Sequence, residues 1–195
     1  MTTETPVAVD PARTALLVMD YQNGLFDRID GGEALLAGAR DAIGLIRDHG
    51  GTIGYVRVGF ADGEAPSGTM GRRIGREAAL TMFHADAPAT QIHDEIAPQD
   101  GDIVVRKTRV GAFGTTDLHE QLQAKGIDTL ILAGISTSGV VLSTVRDGHD
   151  LDYRLIILSD LCADPEADVH TFLVERIFPR QADVITSGEL RGALS

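Results

Sequence analysis

Short apolar runs recur along the chain and alternate with longer segments that mix apolar and polar residues. The runs lack the regular alternation of apolar and polar positions that marks a strand with one face in water. Runs of this kind are typical of strands that are buried on both faces of a sheet. The sequence therefore predicts strands over Thr14–Met19, Thr52–Val58, Asp102–Val105, Thr129–Ala133, Tyr153–Leu158 and Ala182–Ile185.

The segments between these runs have the spacing of amphipathic helices. In Gly32–His49 the apolar side chains fall on one stripe, and Asp41 and Arg47 fall off it, as solvent-facing residues should. The stripe consists of Leu35, Leu36, Ala39, Ile43 and Ile46. Similar spacing predicts helices over Thr116–Ala124, Ser138–Asp150, Glu166–Phe178 and Ser187–Leu194.

Strands that alternate with helices predict an α/β fold, a three-layer α/β/α sandwich around a mostly parallel, Rossmann-like sheet of about six strands. No internal repeat or linker divides the sequence, so we expect a single domain over residues 1–195, with 1–12 as a flexible N-terminus. The longest interval without a predicted strand runs from Gly59 to Gly101. It is rich in glycine, and we expect a lid or a binding loop there.

Composition narrows the class of protein. Hydrophobic residues make up 43% of the 195 residues and charged residues 24%, which excludes a disordered chain. The formal net charge of −12 argues against nucleic-acid and anionic membrane partners, since phosphate binding needs clustered Lys and Arg. We find no apolar run of about 18 residues and no signal-peptide pattern. The single cysteine, Cys162, excludes an intrachain disulfide, and we expect a cytoplasmic protein.

Polar side chains follow several of the predicted strands, at the edge where a parallel sheet binds its ligands. Asp20 follows the first strand and Lys107 follows the third. If these two strands are neighbours, the carboxylate and the ammonium meet and shift each other's pKa, as a proton-transferring pair requires. Taken alone, Asp20 is explained equally well as a turn residue. Lys107 taken alone is explained as a solvated charge at the end of a strand.

The segment GISTSG, residues 134–139, links the fourth predicted strand to the next helix. Ser136, Thr137 or Ser138 is the expected N-cap of that helix. Successive backbone N–H groups at a helix start also bind an oxyanion or a carboxylate. Capping and anion binding are compatible, so we expect this segment to form one side of the site.

Four motifs occur in order along the chain: LLVMDYQNG, GDIVVRKTRVGAFGTTDL, LILAGISTSGVVLSTVRD and LIILSDLCAD. Together they resemble the isochorismatase-like hydrolases, which include isochorismatases, nicotinamidases and related cysteine hydrolases. The resemblance runs from about Thr14 to about Asp164. It implies a parallel sheet between helices, hydrolysis of a small molecule, and a homo-oligomer, either a dimer or a tetramer.

The resemblance also implies roles for particular residues. Family members use an Asp after the first strand to handle protons and a Lys after the third strand, which match Asp20 and Lys107. In the cysteine hydrolases a nucleophilic Cys begins the helix after the fourth strand, and Val140 stands at that position here. Valine can neither act as a nucleophile nor carry an acyl intermediate.

The leading hypothesis is hydrolysis without a cysteine. In the isochorismatase branch a carboxylic acid protonates a vinyl ether, and water completes the cleavage. Asp20 would be the general acid or base, acting with Lys107 on a small anionic metabolite. Protonated Asp20 near neutral pH requires a pKa raised by apolar surroundings, which Leu25, Phe26, Phe113 and Val140 could supply.

Two alternatives stay open. One is a pseudoenzyme that keeps the pocket and binds a small molecule without turnover. The other is an amidohydrolase with a displaced nucleophile, for which Cys162 and the hydroxyls around Val140 are the candidates. We expect Cys162 to be a small buried apolar residue, and no His is in an evident general-base position near Ser136, Thr137 or Ser138.

Substrate-binding positions are predicted around Asp20 and Lys107. Arg72 or Arg73, in the long loop, would fold over the site and bind a substrate carboxylate, although a solvated helix start explains both residues as well. The other predicted binding residues are Gln22, Phe26, Phe113, Ser138, Gly139 and Val140. No metal or other cofactor is expected, because Pro88 breaks any helical pairing among His84, Asp86 and His93.

Overall fold

Parallel strands form one sheet, and the order of the strands reverses beside the first of them. A computed structural model describes residues 7–26, 29, 31–66, 68, 69, 72 and 75–194. The strands are β1 (Thr14–Met19), β2 (Thr52–Val58), β3 (Ile103–Lys107), β4 (Thr129–Ile135), β5 (Arg154–Ala163) and β6 (Asp183–Ile185). They pair in the order β3-β2-β1-β4-β5-β6, and every pair is parallel. The predicted α/β fold with a parallel, six-stranded sheet is confirmed.

Helices lie between the strands in sequence. The α-helices of the described residues are α1 (Asn23–Phe26), α2 (Gly32–Asp48), α3 (Arg76–Met82), α4 (Leu118–Ala124), α5 (Leu142–Asp150), α6 (Ala167–Phe172) and α7 (Ser187–Ala193). Short 3₁₀ turns span Pro11–Arg13, Pro88–Thr90, Asp94–Ile96 and Phe178–Arg180, and π-helical turns span Thr137–Val141 and Leu173–Ile177. No helix in this part of the chain is long and apolar enough to cross a membrane.

The central strand β1 explains why the apolar runs show no alternation. Leu16 and Val18 pack into the core on one face of the sheet, and Leu17 and Met19 pack into the core on the other face. Every residue of β1 is buried. Because apolar layers lie on both sides, each position of such a strand favours an apolar residue.

The helices cover both faces of the sheet. The predicted stripe of α2 is buried as expected, in a core that it shares with Leu190 of α7. On the opposite face, Leu118 and Leu122 of α4 and Val145 of α5 pack against the sheet. With both faces covered, the carboxyl edge of the strands is the part of the sheet that is open to a ligand.

Strand β5 is longer than its apolar run. The sequence predicts an end at Leu158, which is wrong, because the strand continues to Ala163. A register shift against β4 lies between Ile157 and Cys162, within the extension. Polar residues are tolerated in it because they have partners: Ser159 Oγ donates to a backbone carbonyl of β6, and the carboxylate of Asp160 accepts hydrogen bonds at the start of α7.

The interval between β2 and β3 is more regular than its glycine content suggests. Its described residues include α3 and two 3₁₀ turns, and an isolated bridge pairs Phe60 with His84. Gln22 connects this segment to the sheet, since its Nε2 donates to Val58 O at 2.9 Å and to Thr90 O at 2.6 Å. The segment therefore returns to pack beside the end of β1.

Residues 7–12, the described part of the expected flexible N-terminus, are hydrogen-bonded to the rest of the domain. Val9 N donates to Ala193 O at 2.9 Å. Arg154 Nη1 donates to Ala8 O at 2.5 Å, and Asp10 accepts from Ala12 N to cap the first 3₁₀ turn. These bonds fix the chain just before β1 begins.

Gly134 lies in β4 at a point where a side chain has no room. A Cβ atom here would lie 2.8 Å from Val141 Cγ2 and 3.3 Å from Met19 Cε. We expect Gly134→Ala to lower the free energy of unfolding by about 1–3 kcal/mol, the usual effect of overpacking a core. Urea denaturation followed by circular dichroism measures the change.

Gly44 of α2 is the matched control, because a Cβ atom there meets no atom within 4 Å. Gly44→Ala should raise the free energy of unfolding by about 0.5–1 kcal/mol, since alanine favours a helix interior. A Gly134→Ala protein as stable as the parent chain would contradict the close packing described for β4.

Candidate active site

Asp20 lies directly after β1, in a backbone conformation that few residues adopt. Its φ is +60°, in the left-handed region, which Asp and Asn tolerate better than most side chains. Its backbone N donates to Val56 O at 2.7 Å, and its carbonyl accepts from Gln22 N at 2.8 Å. The turn after β1 is therefore held by β2 on one side and by its own next residues on the other.

Lys107, the last residue of β3, reaches Asp20 across the intervening strand. The premise that their strands are adjacent is wrong, because β2 lies between β1 and β3 and Val58 of β2 pairs with Lys107. The long lysine side chain nevertheless brings Nζ to 2.8 Å from Asp20 Oδ2. Nζ also donates to Val110 O at 3.0 Å and to Arg109 O at 3.3 Å, so three acceptors match its three hydrogens.

The ion pair is almost fully removed from solvent. The Lys107 and Asp20 side chains are 3% and 7% exposed. Burial raises the pKa of the Asp20 carboxyl, and the charge and hydrogen bond of Lys107 lower it, with a net rise above its ordinary value. Asp20 Oδ1 accepts no hydrogen bond from any described residue. One oxygen of a buried carboxyl is thus left for a ligand or a water molecule.

A cavity of about 250 Å³, lined in part by Asp20, opens where the strand order reverses between β1 and β4. Its walls are mostly apolar, and its ionisable lining residues are Asp20, Lys107 and Arg109. The other lining residues are Leu25, Ile29, Val58, Phe83, Val110, Ile135, Ser136, Gly139, Val140 and Pro165. An apolar cavity with a few converging polar groups is the usual form of a small-molecule site.

A wider surface groove beside β6 and α7, of about 760 Å³, has no comparable chemistry. Its two carboxylates already have partners, since Asp183 pairs with Arg154 and Glu189 accepts from Thr186 in a capping box. The cavity at Asp20 is therefore the better candidate, although it is smaller.

The segment after β4 places Gly139 and Val140 in the cavity wall. Ser136 occupies the N-cap position, as expected, but its side chain forms no capping hydrogen bond. Asp164 supplies the cap instead, because its Oδ2 accepts from Ser138 N at 2.7 Å. The Ser138 N–H, one of the backbone groups predicted to bind an anionic ligand, is therefore already bonded to the Asp164 carboxylate.

The expectation that no His adjoins the hydroxyls of this segment is also wrong, for Thr137. Its Oγ1 lies 2.8 Å from His170 Nδ1, in α6. Burial lowers the pKa of His170, and nearby Asp164 raises it. Thr137 is fully buried and does not line the cavity, so this pair connects α6 to the helix start without facing a ligand.

Cys162 is buried and outside the cavity lining, in agreement with the expectation of a small core residue. Its thiol lies in the same core as Leu132, and burial raises its pKa to about 12. A thiol that stays protonated at neutral pH and is shielded from solvent is a poor nucleophile.

The structure places two predicted binding residues beside the cavity and not in its wall. Gln22 is buried, and its side-chain amide bonds both backbone groups of Val58, with Nε2 donating to the carbonyl and Oε1 accepting from the N–H, each at 2.9 Å. Phe26 packs edge-on against Tyr21 and His93. Both residues support the turn that carries Asp20.

Other predicted binding residues lie elsewhere. Phe113 stacks on Tyr153, with ring centroids 5.9 Å apart. Ser138 is exposed, and Arg72 is exposed with its guanidinium donating to Thr69 Oγ1 at 3.2 Å. Arg73 lies outside the described residues.

Comparison with known proteins identifies relatives that cover most of the chain. A family model described as the isochorismatase domain matches residues 14–189. The isochorismatase family protein YwoC of Bacillus subtilis is 34% identical over 172 residues, which cover 88% of this chain and 89% of the relative. The maleamate amidohydrolase of Pseudomonas putida is 30% identical over 166 residues, which cover 85% of this chain and 74% of that relative.

Solved structures show the same fold. An isochorismatase family protein from Burkholderia thailandensis superposes with a TM-score of 0.82 at 26% identity, and the match covers 97% of this chain and 99% of the other. The match therefore includes the strand ends that carry the cavity.

Because Val140 lines the cavity, a cysteine introduced at this position should be reactive. In a Val140→Cys protein the new thiol lines the cavity with Lys107, whose positive charge favours the thiolate. We expect iodoacetamide to alkylate residue 140 at least about tenfold faster than Cys162 at neutral pH, because thiolate is the reactive form. Peptide mapping by mass spectrometry measures both rates.

The parent chain, in which Cys162 is the single thiol, is the control and should stay unlabelled while folded. Equal labelling of residues 140 and 162 would mean that residue 140 does not face the cavity.

Proposed function

The chain belongs to the isochorismatase family, whose members are hydrolases, and we propose that it hydrolyses a small anionic metabolite without a cysteine nucleophile. Asp20 is the general acid and base, and Lys107 holds it in place. The observation that carries the proposal is the buried carboxyl at the cavity wall, with Oδ2 bound to Lys107 and Oδ1 without a partner among the described residues.

The raised pKa of Asp20 supports its role as a proton donor. A carboxyl whose pKa is raised by burial keeps its proton to higher pH, and transfers it to a substrate more readily than bulk water does. After transfer, the carboxylate is stabilised by the Lys107 ammonium at Oδ2. Burial thus favours the protonated form of Asp20 before transfer, and Lys107 stabilises the ionised form after it.

A bond that protonation activates is the expected target. For an enol ether, Asp20 Oδ1 gives its proton to the terminal alkene carbon, and water adds to the carbon that bears the oxygen. One water proton returns to Asp20, and the hemiketal collapses into a carbonyl compound and an alcohol. No covalent bond to the protein is needed, which suits a cavity wall with Val140 at the usual nucleophile position.

The comparison with maleamate amidohydrolase supports an anionic substrate, because maleamate carries a carboxylate beside its amide. An unactivated amide needs a stronger nucleophile than neutral water. We therefore expect carboxylate-bearing enol ethers to react faster than carboxylate-bearing amides.

Val140 also favours a second candidate, a protein that binds a small molecule without turnover. Both candidates need the same cavity, and they differ in whether Asp20 transfers a proton. Tight binding with no turnover across a panel of small enol ethers and amides would support the binding protein.

Asp20→Asn and Lys107→Ala test the proposal. Asparagine tolerates the left-handed backbone of residue 20 but has no proton to transfer, so kcat/KM should fall by about 10²–10⁴-fold. Lys107→Ala removes the group that orients Asp20 and should cause a loss of similar size. Product release from the substrate panel, followed by liquid chromatography and mass spectrometry, measures both.

Asp152→Asn is the matched control, because Asp152 also has a positive φ, of 63°, and is exposed and outside the cavity lining. It should keep full activity. Full turnover in both Asp20→Asn and Lys107→Ala would end the proposal.

A further inference from the structure

Arg109 lies at the rim of the cavity, two residues beyond the end of β3. It is exposed, and its backbone carbonyl accepts from Lys107 Nζ at 3.3 Å, which fixes its main chain next to the ion pair. Its Nη1 donates to Thr108 O at 2.7 Å and to Ala65 O at 3.5 Å. These bonds hold one corner of the guanidinium at the cavity mouth.

The remaining donors of this guanidinium are unused within the described part of the chain. No described residue accepts a hydrogen bond from Nε or Nη2 of Arg109, and no described carboxylate forms an ion pair with it. By contrast, Arg106 is paired with Glu64, and Arg47 is paired with Asp102. Nε and Nη2 form the planar edge of an arginine that binds a carboxylate through two parallel hydrogen bonds.

The other charges of the cavity make this rim the natural place for an anion. Lys107 has all three of its hydrogens engaged by protein acceptors, which are Asp20 and two backbone carbonyls, so none is left for a ligand carboxylate. Arg109 is thus the cation of the lining that lacks a carboxylate partner among the described residues. A ligand carboxylate placed deeper would meet the Asp20 carboxyl and apolar walls.

We propose that Arg109 binds the carboxylate of the substrate at the cavity mouth and so directs an uncharged reacting group toward Asp20. The inference rests on the proposed function and names its substrate class: small monoanions with one carboxylate and a neutral, mainly apolar remainder that fits about 250 Å³. Molecules with a negative charge at both ends are excluded, because the second charge would be buried without a partner. The residue is a specificity determinant in a role that the sequence suggested for Arg72 and Arg73.

Isothermal titration calorimetry with maleamate and its uncharged methyl ester tests this assignment. The ester keeps the maleamate skeleton with one added methyl group, and it lacks the negative charge. The unmodified protein should bind maleamate more tightly than the ester. In Arg109→Gln the affinity for maleamate should fall about tenfold, the size of one charge-assisted hydrogen bond, and the affinity for the ester should change less than about twofold.

Arg191→Gln is the matched control, because Arg191 is exposed on α7 and outside the cavity lining. It should alter neither affinity. The inference is wrong if Arg109→Gln weakens both probes equally or neither, if the unmodified protein does not prefer the acid, or if it binds neither probe at millimolar concentration.

Calorimetry measures binding, so the result is independent of proton transfer. Selective binding that depends on Arg109, with no turnover of any substrate, would contradict the proposed hydrolysis and leave this inference standing. Turnover that depends on Asp20, together with equal affinities for maleamate and its ester, would contradict this inference and leave the proposed hydrolysis standing.

Discussion

A buried ion pair between Asp20 and Lys107 sets the character of the site. Removing two charges from water is costly, and the pair persists because Lys107 Nζ has three acceptors and because the turn after β1 is fixed by backbone bonds. Folding raises the pKa of the Asp20 carboxyl, so its contribution to the free energy of unfolding is greatest at low pH. That contribution is lost as the pH rises through the pKa of the folded state. The charge and hydrogen bond of Lys107 lower the pKa of Asp20 and so reduce this loss of stability. The carboxyl can therefore stay buried at neutral pH.

The cavity around this pair suits proton transfer to a small molecule. Burial raises the pKa of Asp20, and in the proposed function its Oδ1, which has no partner among the described residues, gives its proton to the substrate. Val140 lies in the cavity wall, at the position to which the family resemblance assigns the nucleophile of the cysteine hydrolases. In the proposed function Asp20 and Lys107 act as the acid and the lysine of the family, and water takes the role of the thiol.

Sequence patterns predicted the parts of the fold that depend on local burial. The bounds of β1 and β2 and the buried stripe of α2 are as expected, because apolar periodicity reports burial directly. The carboxyl ends of the predicted strands and the family resemblance together indicate Asp20, Lys107, Gly139 and Val140 as site residues, and all four line the cavity. The end of β5 was missed because polar residues with tertiary partners continue the strand.

Residues that long-range packing brings to the cavity were not predictable in the same way. Phe83 and Pro165 reach its wall from segments that carry no motif, and the Thr137 and His170 pair joins positions far apart in sequence. Gln22 and Phe113 look like ligand contacts next to motif residues, but backbone bonding and ring stacking engage them instead. Contacts of this kind depend on tertiary geometry.

The proposed proton transfer depends on the pKa of Asp20, which ¹³C NMR of its carboxyl carbon measures. The resonance is assigned by its absence from Asp20→Asn, and it is followed in the parent chain and in Lys107→Met. We expect a midpoint above the ordinary aspartate value of about 3.9 in the parent chain, and a higher midpoint when the ammonium is removed. A midpoint at or below the ordinary value, or one that Lys107→Met leaves unchanged, would mean that Asp20 is not the buried proton donor proposed for this site.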